Sequence, residues 1–455
     1  MQERKENKMG TMPVSRLLIT MSLPIVVSML VQALYNIVDS VFVSRYSQEA
    51  LTAVSLAFPV QNLLIAVGVG TGVGINALLS RRLGERNFED ANAAAENGLL
   101  LAVLSGLVFA VLGLLFSRTF FCAFTRNEEI IRMGTEYLTV CTVFSFGAFL
   151  QMASERILQA TGNTIYNMIS QCVGALTNII LDPIFIFGYF GFPAMGVKGA
   201  AVATVAGQIL GMCLALYFNV EFNHDVKLNL RAFRPSKRII GEIYKVGIPS
   251  IIMQSIASVM TFGLNKILVS FTETATLVFG VYFKLQSFVF MPVFGLTSGM
   301  VPIVAYNYGA RRKDRITHVI RDAALYAVSI MAVGSLVFHL FPQQLLLFFK
   351  ASAETLEIGT PALRIISLSF VGAGIAIVLS SVFQALGNGV LSLLISVARQ
   401  LLVILPVAWL LAQLGGLNVV WWAFPIAELV SLGLSLLMYR KIYVKMIAPL
   451  VSEES

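Results

Sequence analysis

The residues of this chain best able to do chemistry sit inside apolar runs that have no obvious use for them. Within the run 15–42, Ser28, Gln32, Tyr35, Asn36 and Asp39 recur at helical spacing, which places all five on one face of a helix. Within the run 163–188, Asn178 and Asp182 lie four residues apart and share a face. A polar group in hydrocarbon is expensive, so these faces are expected to look into a bundle or cavity and not toward lipid. Asp39, Asn178 and Asp182, with Asn36 beside them, supply two carboxylates and amide oxygens. Such hard oxygen ligands suit Na⁺, and a carboxyl pair also suits a proton. The bland alternative for Asp39 is a hydrogen bond or cap at a helix end.

The chain repeats itself at an offset of 225 residues: Pro24 with Pro249, Gly74 with Gly299, Gly84 with Gly309 and Gly134 with Gly359. Gln159-Ala-Thr-Gly-Asn163 matches Gln384-Ala-Leu-Gly-Asn388 at the same offset. One offset held over so much chain means two copies of one structural unit. The copies differ at the acids, since Asp39 pairs with Leu264 and Asp182 with Val407. The polar stripe of the first run becomes Met253, Ala257, Met260, Thr261 and Leu264 in the second copy. Met253 and Met260 read either as core filler or as an adaptable wall for greasy ligands, with Gln32 and Tyr35 facing the same substrate cleft.

Composition fixes the class. Of the 455 residues, 57% are hydrophobic and 12% charged, against about 25% charged in soluble domains. Mean hydropathy is +0.82. The apolar runs are long enough to cross a bilayer as helices, and the short alternating strands of a membrane barrel are absent. We count about twelve spans, at 15–42, 52–78, 91–117, 132–158, 163–188, 194–220, 240–267, 276–304, 317–343, 355–384, 390–413 and 416–444. The first run, lacking a cleavage site, is expected to remain as a transmembrane helix. The predicted domains are a first lobe of six helices holding the cation site (1–220), a linker (221–239) and a second six-helix lobe (240–455).

The net charge of +8 does not point to nucleic acid, because the basic residues cluster in alternate loops. Arg81, Arg82 and Arg86, the linker from Glu221 to Arg238, the group Arg311, Arg312, Lys313 and Arg315, and the terminal Arg440, Lys441 and Lys445 all fall on one side. The positive-inside rule makes that side, and both termini, cytosolic. Six spans per copy return the chain to the same side, so the repeats are parallel, with a substrate site expected near the midplane of a central cleft.

Other polar residues are less directive. Arg399 and Glu428 lie at similar depths in the last two spans and are expected to pair, first as structure and second as a coupling site. Glu155 and Arg156 read as structural. Pro24 interrupts a hydrogen-bond ladder and is a candidate hinge or static kink. Gly68, Gly70, Gly72 and Gly74 lack the strand and the Lys-Ser/Thr of a phosphate loop. The scattered cysteines and histidines form no metal or disulfide pattern, and no nucleophile–base set or nucleotide motif is present. No cofactor and no enzyme activity are expected, only a gradient-driven coupling ion.

Leu23-Pro24-Ile25…Gln32…Tyr35-Asn36…Asp39…Phe42-Val43, followed by Ala53-Val54-Ser55…Phe58-Pro59, resembles the MATE (multidrug and toxic compound extrusion) transporters. So do Gln159-Ala-Thr-Gly-Asn163, Leu181-Asp182-Pro183 and Tyr306-Asn307-Tyr308-Gly309-Ala310-Arg311, and the likeness covers nearly the whole chain. The resemblance implies twelve helices in two six-helix lobes. It also implies export of cationic amphiphilic drugs in exchange for Na⁺ or H⁺ across a bacterial or archaeal plasma membrane, by a monomer. It places the prokaryotic first-lobe cation site on Asp39, Asn178 and Asp182, and the first-helix proline on Pro24. The threonine that sometimes completes that site is replaced by Ala200, with Thr204 one turn away. A lipid-linked oligosaccharide flippase of the same superfamily is the alternative, disfavoured by the twelve spans and the acidic first lobe. A channel or sensor lacks a pore motif or signalling domain, and the loop motif of a major-facilitator transporter is missing.

Overall fold

The computed structural model describes residues 6–450 apart from 230 and 232. The first five residues, and parts of the linker and tail, therefore lie outside the described residues. The chain is helical. Among the described residues ten helices are long and apolar enough to span a membrane, and two further bent pairs, each taken as one span, bring the number to twelve. In the first repeat these are α1 (Val14–Tyr46), α2 (Gln48–Gly84), α3 (Phe88–Phe124), the bent pair α4 (Glu128–Val143) and α5 (Phe146–Ala160), α6 (Thr164–Phe187) and α7 (Val197–Glu221). In the second they are α8 (Lys237–Val269), α9 (Glu273–Gly309), α10 (Lys313–Leu340), the bent pair α11 (Ala353–Ser367) and α12 (Phe370–Ala385), α13 (Gly389–Gly415) and α14 (Leu417–Ile447).

Two features depart from the apolar runs. The helices extend beyond the hydrocarbon-length segments. The second and eighth spans are each 37-residue helices, because their polar ends continue the helix past the apolar stretch. The fourth and tenth spans are broken, with bends of 43° and 48°. The breaks fall at Phe144–Ser145 and at Leu368–Ser369, a point invisible to hydropathy because the breaking residues are as apolar or as small as their neighbours.

The repeated glycines are explained by backbone geometry. Gly162 and Gly387 have φ of +87° and +79°, the left-handed region that glycine enters most cheaply. Each closes a helix in the same way. Asn163 N–H donates to Leu158 O at 2.7 Å and Asn388 N–H to Phe383 O at 2.8 Å, the six-to-one bond of a Schellman end. The loops after α2 and α9 repeat this with Arg86 and Arg311 at φ +57° and +60°.

The chain divides into two compact units, and the division is not the one read from the sequence. One unit holds Leu23–Ile248 with the described residues up to Lys8, and the other holds Met9–Ser22 with Pro249 onward. Unit membership therefore changes within α1 and α8, next to the matched prolines Pro24 and Pro249. In the first unit the base of α8 meets α2 and α3, where Arg82 donates to Glu242 Oε2 at 2.7 Å and Arg238 to Asp90 Oδ1 at 2.6 Å. In the second, Arg315 Nη2 donates to Met12 O at 2.7 Å and Asn307 Nδ2 to Met9 O at 3.1 Å. Matched glycines permit these contacts. A Cβ on Gly299 would lie 2.9 Å from the Ser22 backbone, and one on Gly74 would collide with the carbonyl of Ile243.

Gly299→Ala is expected to destabilise the protein by about 1–3 kcal/mol, since it forces backbone apart. Gly280→Ala, where nothing lies within 4 Å of the new methyl, should leave stability unchanged or slightly raised. Thermal melts of the two detergent-purified variants against wild type check both.

Candidate functional site

The close approach of α6 and α7 organises the first unit's polar site. Gly174 and Gly207 face each other: a Cβ on Gly174 would sit 2.9 Å from Gly207 O, and one on Gly207 2.5 Å from Gly174 O. Backbones this close bring side chains one turn away into hydrogen-bond range. Asn178 is one turn beyond Gly174. With its amide set to satisfy both neighbours, Asn178 donates to Asp182 Oδ2 at 3.1 Å and accepts from Thr204 N and Oγ1, each at 3.1 Å. Thr204 thus supplies the hydroxyl from α7. Ala200 itself is fully buried in an apolar cluster with Val43, Ala53 and Ile186.

Asp182 is wholly buried and Asn178 nearly so. Asp39, from α1, lies close enough to Asp182 for the two carboxyls to interact. Its Oδ1 is buried and meets no donor. Among the described residues neither aspartate forms a salt bridge. Two carboxyls at that range can bond to each other only through a proton or a shared cation. Tyr35, Tyr137 and Cys141 surround Asp39 closely enough to feel its charge, and Gln61 Nε2 donates to Tyr137 Oη at 2.9 Å. The sequence reasoning did not single out Gln61, Tyr137 or, as a site residue, Cys141. The signal was present, because Tyr137 and Cys141 are four apart on one face and Gln61 is an uncharged polar residue in the apolar run of α2.

The rest of the α1 stripe does not converge on the acids. Ser28 is buried and donates to Pro24 O at 2.8 Å. Tyr35 is half-buried, whereas Gln32 and Asn36 are exposed. The backbone carbonyl of Asn36 accepts from Ser40 Oγ at 2.8 Å, one turn along the same helix. In the second unit Met260 is buried, and Met253 is half-buried with its sulfur 4.0 Å from Gln384 Nε2.

Arg399 and Glu428 do meet, with Nη1 3.0 Å from Oε2. Arg399 stands in a π-helical stretch, Ala398–Ile404, in the middle of α13. Widening of this kind often re-aims a side chain at a working position. Glu428 Oε1 is buried without a partner, so a single bond carries the pair.

Twelve membrane-spanning helices in two repeats, with a buried aspartate facing a half-buried one in the first, define a multi-pass membrane transporter. The MatE family pattern matches residues 24–184 and again 249–410, and the chain belongs to the MATE family of multidrug efflux transporters. It is 29% identical over 420 residues to the multidrug export protein MepA of Staphylococcus haemolyticus (strain JCSC1435), covering 91% of each chain. A multidrug resistance MATE family transporter of the MOP superfamily, solved facing outward, superposes with a TM-score of 0.91 at 27% identity, over 98% of this chain and 99% of that one. A MOP superfamily transporter from Pyrococcus furiosus Vc1, whose binding pocket of reverse polarity was taken to suggest a different function, gives a TM-score of 0.91 at 26% identity, over 98% of this chain and 99% of that one.

Arg399→Met should cost about 3 kcal/mol, because it strands the buried Glu428 carboxylate. Adding Glu428→Gln should recover most of that loss. Chemical or thermal unfolding of the single and double variants measures it, and equal losses in both would show that the pair is not what holds α13 to α14.

Proposed function

We propose that the chain exports cationic amphiphilic compounds across the plasma membrane in exchange for protons, with Asp39 and Asp182 as the coupling site. The observation that carries this reading is the pair of interacting carboxyls, neither of which forms a salt bridge with a Lys or Arg among the described residues. Such a pair holds one proton between two oxygens and gives it up when the surroundings change. Asn178 orients Asp182, and Thr204 anchors Asn178. The amide of Asn178 presents N–H to Asp182, which suits a carboxyl pair. Na⁺ is the second reading, favoured by the buried, donorless Oδ1 of Asp39, a ready ligand for a hard cation.

An ion drives transport only through different affinity in the two states of the carrier. The acid pair spans α1 and α6, so movement of α1 alone changes its geometry. Pro24 marks the position at which α1 passes between units, and we assign it the role of hinge. Gln32 and Tyr35, on the stripe leading to Asp39, are the residues we expect a cationic drug to meet first. The positive-inside pattern makes the basic-loop side cytosolic. A flippase for lipid pyrophosphates would call for basic residues at this position, and the acid cluster has none.

Asp39→Asn should abolish ethidium efflux from reconstituted vesicles while leaving protein yield unchanged. In wild type, an imposed pH gradient alone should drive efflux and an imposed Na⁺ gradient alone should not. The reverse result would move the assignment to Na⁺, and full efflux by the variant would end the site assignment.

A further inference from the structure

The acid pair is not alone among the carboxyls of the first unit in forming no salt bridge among the described residues. Glu155, on α5, is 4% exposed. Gln151, one turn earlier, donates to its Oε1 at 2.9 Å, and Gln171 of α6 donates to its Oε2 at 2.9 Å. Arg156 turns away and donates to Gln159 Oε1 at 2.9 Å. The charge of Arg156 and the thiol of Cys172 on α6 are the ionisable groups near enough to interact with Glu155. The helices α2, α3 and α7, which also pack on α5, add no charge acting on it.

Amide hydrogen bonds solvate a carboxylate but do not cancel its charge at membrane depth. A metal cation is poorly served here, because both flanking amides offer N–H and not C=O. A proton displaces neither amide, since each carboxyl oxygen keeps a second lone pair. A further observation supports a working site. Asn167, one turn before Gln171, is 1% exposed and both atoms of its amide lack a partner.

The same face of α6 leads to the acid pair. Asn167, Gln171, Gly174, Asn178 and Asp182 follow one another at helical spacing. A Cβ on Gly174 would stand 3.7 Å from Nε2 of Gln151, so that amide lies between Glu155 and the Asn178–Thr204 contact. From Asp182 to Gln171 the helix rises roughly 16 Å. Toward the other end, Asn219 of α7 donates to Ser154 O at 2.9 Å, next to the linker that follows α7.

We propose that Glu155 is a second proton site of the first unit, joined to the acid pair by the polar face of α6 and lying nearer the basic-loop side. The proposal rests on the proton-coupled reading of Asp39 and Asp182. A proton leaving the pair converts a carboxylic acid there to a carboxylate and a carboxylate at Glu155 to an acid. No electron moves and the net charge of the unit is unchanged. Release toward the basic-loop side then resets Glu155.

The test is ethidium efflux from vesicles under a pH gradient alone, with Glu155→Gln and Asp39→Asn run in parallel. Glu155→Gln keeps the shape of the side chain. It should lower gradient-driven efflux about tenfold or more, with ethidium affinity and melting temperature unchanged, and Glu155→Asp should restore part of the rate. Loss of efflux in Asp39→Asn with a wild-type rate in Glu155→Gln overturns this proposal and leaves the coupling reading standing. Full efflux in Asp39→Asn overturns the coupling reading itself. If Glu155→Gln does not accumulate, infrared spectra of the Asp39→Asn, Asp182→Asn protein decide. A titrating carboxylic-acid band that shifts on Gln171→Leu supports the proposal, and no such band overturns it.

Discussion

Inside a bilayer a carboxylate has no bulk water to spread its charge, so the protein must meet it with donors, a cation or a proton. The first unit is arranged around that requirement. Asp182 cannot be reached by lipid or solvent, and its fixed neighbour is an amide, not a lysine or arginine. That amide is held in turn by Thr204, and Thr204 is in reach only because two glycines let α6 and α7 touch backbone to backbone. Removing charge compensation from the design leaves the carboxyls open to an exchangeable partner. A permanent salt bridge would have closed them, as Arg399 closes one oxygen of Glu428 in the second unit.

The two units treat buried charge differently although their scaffolds correspond closely. Matched helices, matched left-handed turns and matched close contacts persist at one offset, whereas the acids do not. Duplication explains the scaffold. The loss of acid from the second copy leaves that copy an ion pair placed elsewhere, on α13 and α14, and a buried methionine where the first copy has Tyr35.

Much of this was readable in the residues. Composition and run length specify the helices, and the repeat specifies two units. The costs of burying Asp39, Asn178 and Asp182 single out the acid site, because hydrocarbon tolerates a polar side chain only where something in the protein meets it. The rest needed three dimensions. Asn36 shares its helical face with Asp39 by spacing, yet its side chain is exposed. Gln61 and Tyr137 come from helices whose contact with α1 no spacing rule foretells. The breaks in the fourth and tenth spans leave no mark on hydropathy. Nor does any local pattern disclose that the bases of α1 and α8 belong to the opposite units.

That exchange of bases has a consequence for how the protein is made. The groups that hold Met9–Ser22 are translated long after it: Leu296 accepts from Ser22 across 274 residues and Asn307 reaches Met9 across 298. Met9–Ser22 therefore lacks these partners through the synthesis of the entire first unit. Nor is that unit finished when its own six spans are, because its last piece, the base of α8, is the opening of the second copy. Neither unit is made from its own six spans alone, and the order of translation separates Met9–Ser22 from the partners that secure it.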